Sequence, residues 1–262
     1  MSSNRDWVNQ TLGDPDEATP ASSMPTITTG KILALALPSL GALIAEPLFT
    51  IIDSTMVGHL GTPQLAGLGV ASTVLNTAVG LFIFLAYSTT SLTGRHLGAG
   101  RRDLALRSGV EAMWLAGGIG AVAAILLAAF ASPLLTWLGA DAATLPHALA
   151  YLRSSAPGLI GMFVVLAATG TLRGFQDTRT PLIAASVGAA FNAVVNWALM
   201  YPLGLGVAGS GLGTALTQTL MALFLGGIVA RSARREGLIH GSGNAAAGFP
   251  CSALKIAGKR RG

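Results

Sequence analysis

A chain of 262 residues that is 52% hydrophobic and only 10% charged does not have the composition of a soluble domain, where about a quarter of residues carry charge, and it reads as a membrane protein. Its net charge of +5 does not point to nucleic acid, because the basic residues sit in short connections between apolar runs and form no stripe with interleaved aromatics. A single cysteine, Cys251, excludes an internal disulfide framework and a Cys-based metal cluster.

Residues Met1 to Gly30 are polar, with Asp14, Asp16 and Glu17, and lack the apolar core of a cleaved signal peptide. They are expected to form a cytoplasmic tail, with the first span itself as the insertion signal. A bilayer core about 30 Å thick takes ~18 or more apolar residues at about 1.5 Å rise each. Six runs meet that length, at about Lys31 to Val57, Leu65 to Ser88, Ser108 to Leu135, Ala156 to Leu172, Pro181 to Tyr201 and Val207 to Ala230. The fourth is short, and "LPHALAYLRSS" before it extends it as a more amphipathic turn. Gly and Ala dominate the apolar positions, which suits helices packed closely in lipid. The runs lack the alternation, about ten residues per strand, of a membrane barrel. The predicted fold is therefore an all-α membrane protein, a six-transmembrane-helix bundle over residues 31–236, followed by a tail over 237–262.

Arginines mark the connection after the second span (Arg95, Arg101, Arg102, Arg107), after the fourth (Arg173, Arg179) and after the sixth (Arg231, Arg234, Arg235). On the opposite side Arg153 stands alone. By the positive-inside rule both termini face the cytoplasm. A faint internal echo aligns "DSTMVGHLG" from Asp53 with "NWALMYPLG" from Asn196, and a Gly-Leu-Gly follows each, at Gly67 to Gly69 and Gly211 to Gly213.

The first span carries two acids, Glu46 and Asp53, in "EPLFTIIDSTMVGHLGT". Glu46 falls near the bilayer midplane and Asp53 about two turns further out. Seven helical residues rotate by nearly two turns, so both acids share one face. An ionised carboxylate facing lipid costs ~2.5 to 3.5 kcal/mol, so that face looks into the bundle or a water cavity. An acid withdrawn from water in this way can be switched by a proton or a cation, which makes Asp53 and Glu46 the candidate cation-coupling groups. The structural alternatives are that Asp53 only bonds a neighbouring helix, and that Glu46 satisfies backbone groups freed by Pro47.

In the fifth span Asn192 and Asn196 lie four apart on one helical face. Buried amides of this kind often join membrane helices without further function. Pro38, Pro47 and the glycines Gly204, Gly206, Gly209, Gly211 and Gly213 permit bending. "GLGVAG" at Gly204 to Gly209 matches a dinucleotide fingerprint, but that fingerprint needs a strand before it and a βαβ unit around it. An intramembrane hydrolase would need Ser210 of "VAGSGLG" activated by a base. His59, the nearest histidine, lies in the outer connection, so the chain is not expected to be an enzyme.

Several stretches together resemble the multidrug and toxic compound extrusion (MATE) family, in particular its DinF-like branch, named for a DNA-damage-inducible protein. They are "ALPSLGALIAEPLFTIIDSTMVGHLGTPQLAGLGVAS", "FLAYSTTSLTGRHLGAGRRDLAL", "YLRSSAPGLIGMFVVLAATGTLRGFQDTRTPLIA" and "FNAVVNWALMYPLGLGVAGSGLGTALTQ". The resemblance implies a secondary transporter of the bacterial inner membrane, with twelve helices in two six-helix lobes and no cofactor. Such proteins export cationic or amphipathic compounds in exchange for protons or sodium ions. This chain resembles the first lobe alone.

By that resemblance Asp53 matches the coupling acid of the first helix, Asn192 and Asn196 a polar pair of the fifth, and Thr214 a hydroxyl beside the same cavity. The family often places an acid where Asn196 stands, so the amide removes a titratable group and favours protons over sodium. After Arg235 the tail "EGLIHGSGNAAAGFPCSALKIAGKRRG" holds no seventh span. That reads either as a truncated or frame-shifted product, or as a half-transporter paired with a second copy or a separately encoded C-terminal lobe. An inert fragment and a homodimeric six-helix carrier of small metabolites are the remaining alternatives.

Overall fold

A computed structural model of the chain describes residues 50–236. Glu46, Pro38, Pro47, Cys251, the polar tail over 1–30 and the tail over 237–262 lie outside the described residues. The described part of the first span is a helix, α1, over residues 50–58, and every element after it is helical as well.

The second span is α2 (Thr62–Leu81) and α3 (Phe84–Gly98), 37 residues interrupted at Phe82 and Ile83. It outruns the predicted end at Ser88 because "SLTGRHLG" sustains helical hydrogen bonding without being apolar. The third span, predicted as one helix to Leu135, divides into α4 (Arg102–Ala129) and α5 (Ala131–Trp137). Pro133 falls in the first turn of α5, where a missing N–H costs nothing.

The fourth span departs most from its predicted form. It is a bent pair, α6 (Leu145–Ser155) and α7 (Gly158–Gly174), which meet at 53°. Pro157 sits in the bend; a proline disfavours helix at the residue before it and cannot donate to the turn behind it. The amphipathic stretch before the predicted start is thus a helix in its own right. The last two spans, α8 (Arg179–Met200) and α9 (Val207–Arg235), are continuous. Among the described residues, four helices, with α2 and α3 counted as one, are long and apolar enough to cross a membrane, and the bent pair makes five.

Helix α7 is the packing centre. Glycines remove the side chains that would keep its neighbours away. A Cβ on Gly161 would lie 2.7 Å from the backbone of Gln218 in α9, and one on Gly120 of α4 would lie 2.8 Å from Ile160. Phe163, Leu159, Leu225 and Leu152 fill the core around these approaches with no exposed surface. On the outer surface Trp114, Ile125, Val187 and Leu223 remain more than half exposed, which suits a surface bathed in lipid.

The arginine-bearing end of the bundle is tied across its helices. Arg102 Nε donates to Glu236 Oε1 at 2.7 Å, and the Arg102 guanidinium lies 5.3 Å from the centre of the Phe175 ring. At the other end Gly61, Gly204 and Gly206 turn the chain with positive φ. This is the left-handed region that favours residues without a Cβ.

Candidate functional site

Asp53 lies on the buried face of α1, five residues before that helix ends. Asn196 precedes the end of α8 by four residues, and Ser210 follows the start of α9 by three. The three therefore meet about one to one and a half turns inside the connections over 59–61 and 201–206. Asp53 Oδ1 accepts two hydrogen bonds of 2.8 Å, one from Asn196 Nδ2 and one from Ser210 Oγ.

Asn196 spends its second amide hydrogen on Asn192 Oδ1, again at 2.8 Å. This fixes the orientation of both amides: turning Asn196 over would set its oxygen against the carboxylate, and turning Asn192 over would set two NH2 groups face to face. Two buried polar atoms of these amides are then left without a partner among the described residues, Asn196 Oδ1 and Asn192 Nδ2. Buried polar atoms of this kind are rare and costly, so this acceptor and this donor mark the two amides as more than a joint between helices. Gly213 lies directly under Asn196 Oδ1, where any Cβ would collide with it.

Among the described residues the ion pairs are Arg102–Glu236 and Arg107–Glu111, both remote from the site. The Asp53 carboxylate is thus held by neutral donors. Tyr151 of α6 is buried within electrostatic reach of Asp53, and its phenol lies against the hydroxyl of Thr214. One turn outward, the Tyr201 hydroxyl donates to the Met56 carbonyl at 2.8 Å and joins α8 to α1 a second time.

Of the residues singled out in the sequence, Asp53, Asn192 and Asn196 form one connected chain of hydrogen bonds. Thr214 is half-buried and stands beside Tyr151, outside that chain of hydrogen bonds. Glu46 lies outside the described residues. Two residues around Asp53 were missed. Ser210 drew notice only as a hydrolase nucleophile, and Tyr151 sits in the stretch read as a mere extension. His59 is exposed and its Nδ1 rests on the Thr55 carbonyl at 2.7 Å, so Ser210 has an acid for a partner and no imidazole.

The segments paired in the internal echo meet in the fold. The echo's two aligned residues, Asp53 and Asn196, bond directly, and the glycines that open the two Gly-Leu-Gly runs both press on α6. Gly67 meets Ala148, and Gly211 meets the carbonyl of Tyr151. Among the described residues no three His, Cys, Asp or Glu side chains converge as a metal site.

The MatE family model matches residues 38–198. Among curated relatives, "Protein DETOXIFICATION 44, chloroplastic" of Arabidopsis thaliana is 33% identical over 207 residues, covering 74% of this chain and 40% of its own length. The DNA damage-inducible protein F of Escherichia coli (strain K12) is 34% identical over 188 residues, covering 70% of this chain and 40% of its own length. A solved MATE structure in the bent conformation superposes with a TM-score of 0.69 at 26% identity, over 74% of this chain and 43% of that one. A MATE structure in the straight conformation gives 0.68 at the same identity. The chain spans less than half the length of these relatives. With the helical bundle and these likenesses in agreement, the chain belongs to the MatE family of multi-pass multidrug and toxic compound extrusion (MATE) transporters.

Proposed function

We propose that this chain is the first lobe, residues 31–236, of a secondary antiporter that exports cationic or amphipathic small molecules in exchange for protons. Asp53 is its proton-binding coupling group, Glu46 a second coupling acid on the reading of the sequence, and Asn192, Asn196 and Thr214 are polar walls of the substrate cavity. The observation that carries this reading is the buried Asp53 carboxylate, satisfied by an amide and a hydroxyl at 2.8 Å and, among the described residues, by no cationic side chain. A carboxylate so placed is neutralised by taking up a proton or by admitting a cation from outside. The amide at Asn196 leaves one carboxylate here, which suits a proton better than a sodium ion, whose hydration shell is usually replaced by several oxygens.

The mechanism is competition between two cations for one site. Facing outward, the cavity releases its substrate as Asp53 takes a proton. Facing inward, loss of that proton restores the negative site that attracts a cationic substrate. Exchange requires two states of different affinity, because a ligand that binds both equally shifts nothing. Alternating access moves one bundle against another around a central site. A single lobe offers one wall, so the working transporter takes a second lobe to face it. The arginines gathered at one end of the bundle support an orientation with both termini in the cytoplasm and the lobe in the bacterial inner membrane.

The test is efflux of a fluorescent cationic dye from cells producing this chain alone, set against its Asp53→Asn variant and an empty vector. Efflux that needs Asp53 and collapses with the proton gradient supports a working oligomer of half-length chains. Confirmed insertion with efflux no greater than the vector's in all three cases favours the second reading, an inert lobe.

A further inference from the structure

The two partners of Asp53 are chemically unequal. Asn196 reaches it through an NH2 group, a donor only, whose other hydrogen is committed to Asn192. The acceptor oxygen of Asn196 is turned toward Gly213. Ser210 presents a hydroxyl, which can donate or accept. A carboxylate needs donors, whereas a protonated carboxyl also needs an acceptor for its O–H. Only one of the two partners can meet both needs.

We propose that Ser210 is a positioning residue that lets Asp53 gain and release a proton without leaving its place, donating to the carboxylate and accepting from the carboxyl. The proposal rests on the reading of Asp53 as the proton-coupling group. When a proton arrives from water, the carboxylate becomes a carboxyl whose O–H donates to Ser210 Oγ. The hydroxyl hydrogen of Ser210 then turns to another acceptor. In a helix the ready alternative is the backbone carbonyl four residues back, and Thr217, Thr219 and Ser232 of the same helix already use theirs. For Ser210 that carbonyl belongs to Gly206, which its hydroxyl does not bond while it donates to Asp53, so the switch includes a small turn of the serine side chain. Release of the proton reverses both moves, and no other group changes charge.

The backbone around Ser210 is shaped to hold it there. A Cβ on Gly209 would lie 2.8 Å from the Leu199 backbone of α8, and one on Gly211 would lie 2.7 Å from the Tyr151 carbonyl of α6. Without those side chains α9 wedges between α8 and α6 until a side chain as short as serine reaches α1. Ser210 has no exposed surface. The titratable group that α6 turns toward Asp53 is Tyr151, while α8 and α9 turn neutral amides and hydroxyls toward it.

The experiment is infrared difference spectroscopy of the purified full chain in lipid, titrated across the physiological pH range, with Asp53→Asn assigning the carboxyl band. In Ser210→Ala the band moves to higher wavenumber, because the O–H has lost its acceptor, and its titration midpoint shifts on the order of one pH unit. Ser210→Thr, which keeps the hydroxyl, restores both. Should the alanine variant fail to fold, Ser210→Cys reads the same two shifts, since a thiol is a weak donor and acceptor. An Asp53 band whose position and midpoint are unchanged by loss of the hydroxyl overturns the role of Ser210 and leaves proton coupling standing. No pH-dependent Asp53 band in the unsubstituted protein overturns both.

Discussion

Asn196 Nδ2 stands 2.8 Å from Asn192 Oδ1 and, with its other hydrogen, 2.8 Å from Asp53 Oδ1, so the amide at 192 dictates how the amide at 196 meets the carboxylate. Replacing Asn196 by Asp would put a second carboxyl within hydrogen-bond reach of the first. Two carboxylates at that separation share a proton or take up a cation between them. Asn196→Asp is expected to make dye efflux by the assembled transporter responsive to sodium at fixed pH, where the unsubstituted protein is indifferent. Efflux measured with sodium and with choline checks this, and equal rates in the variant would count against the site as the place of ion selection.

A second prediction concerns the connection outside the membrane. Asp141 Oδ1 accepts the Thr144 N–H at 2.8 Å at the start of α6, and the side chain and backbone of Thr144 hold the carboxyl below its ordinary value. A depressed acid stabilises the fold above its unfolded value of ~3.9 and loses that contribution as pH falls through the folded value. Amide exchange at Thr144 to Ala148, followed below about pH 4, is expected to accelerate on acidification beyond the intrinsic rate. Asp141→Asn should remove that acid step, and a step of equal size in the variant would assign it elsewhere.

Much of the bundle was legible because a membrane imposes one rule, apolar length, on each span. The rule does not register interruptions that keep the apolar count, and so the breaks at Phe130 and Pro157 were invisible as breaks although Pro133 and Pro157 stand at or near them in the sequence. Asp53, Asn192 and Asn196 were legible because polar groups are rare in such runs. Ser210 and Tyr151 were not, since their importance comes from helices 157 residues and about 100 residues apart in sequence that only packing brings together. The flanking glycines were read as bend points, whereas Gly209 and Gly211 lie within α9 and serve close approach.

Tyr201 supplies a prediction for α1. Its hydroxyl caps the Met56 carbonyl, which the tightening last turn leaves free, since Leu60 N–H donates to Val57 instead. Tyr201→Phe removes one hydrogen bond worth about 0.5 to 1.5 kcal/mol. The expected readout is faster hydrogen exchange at His59 to Gly61, with the core of α7 unchanged. Uniform acceleration through the bundle would instead mean that the ring, rather than its hydroxyl, carries the contact.

The sharpest mechanical prediction falls on Gly213. A Cβ there collides with Asn196 Oδ1 and would also come within 3.4 Å of the Asn196 backbone N. The amide must then swing away, which breaks its bond to Asp53 and strands the carboxylate with Ser210 alone. Overpacking of this kind costs about 1 to 3 kcal/mol, and loss of a donor to a buried charged group adds a comparable amount. Gly227 lies on the same helix with open space around it, so Gly227→Ala is the matched control and should gain ~0.5 to 1 kcal/mol from helix propensity. Thermal unfolding of both variants in detergent separates the effects: Gly213→Ala lowers the midpoint while Gly227→Ala leaves it level or raises it. In cells producing the assembled transporter, Gly213→Ala should also lose proton-linked efflux to the level of Asp53→Asn. Retained efflux in a protein with a lowered midpoint would show that Asn196 steadies the fold without serving the coupling step.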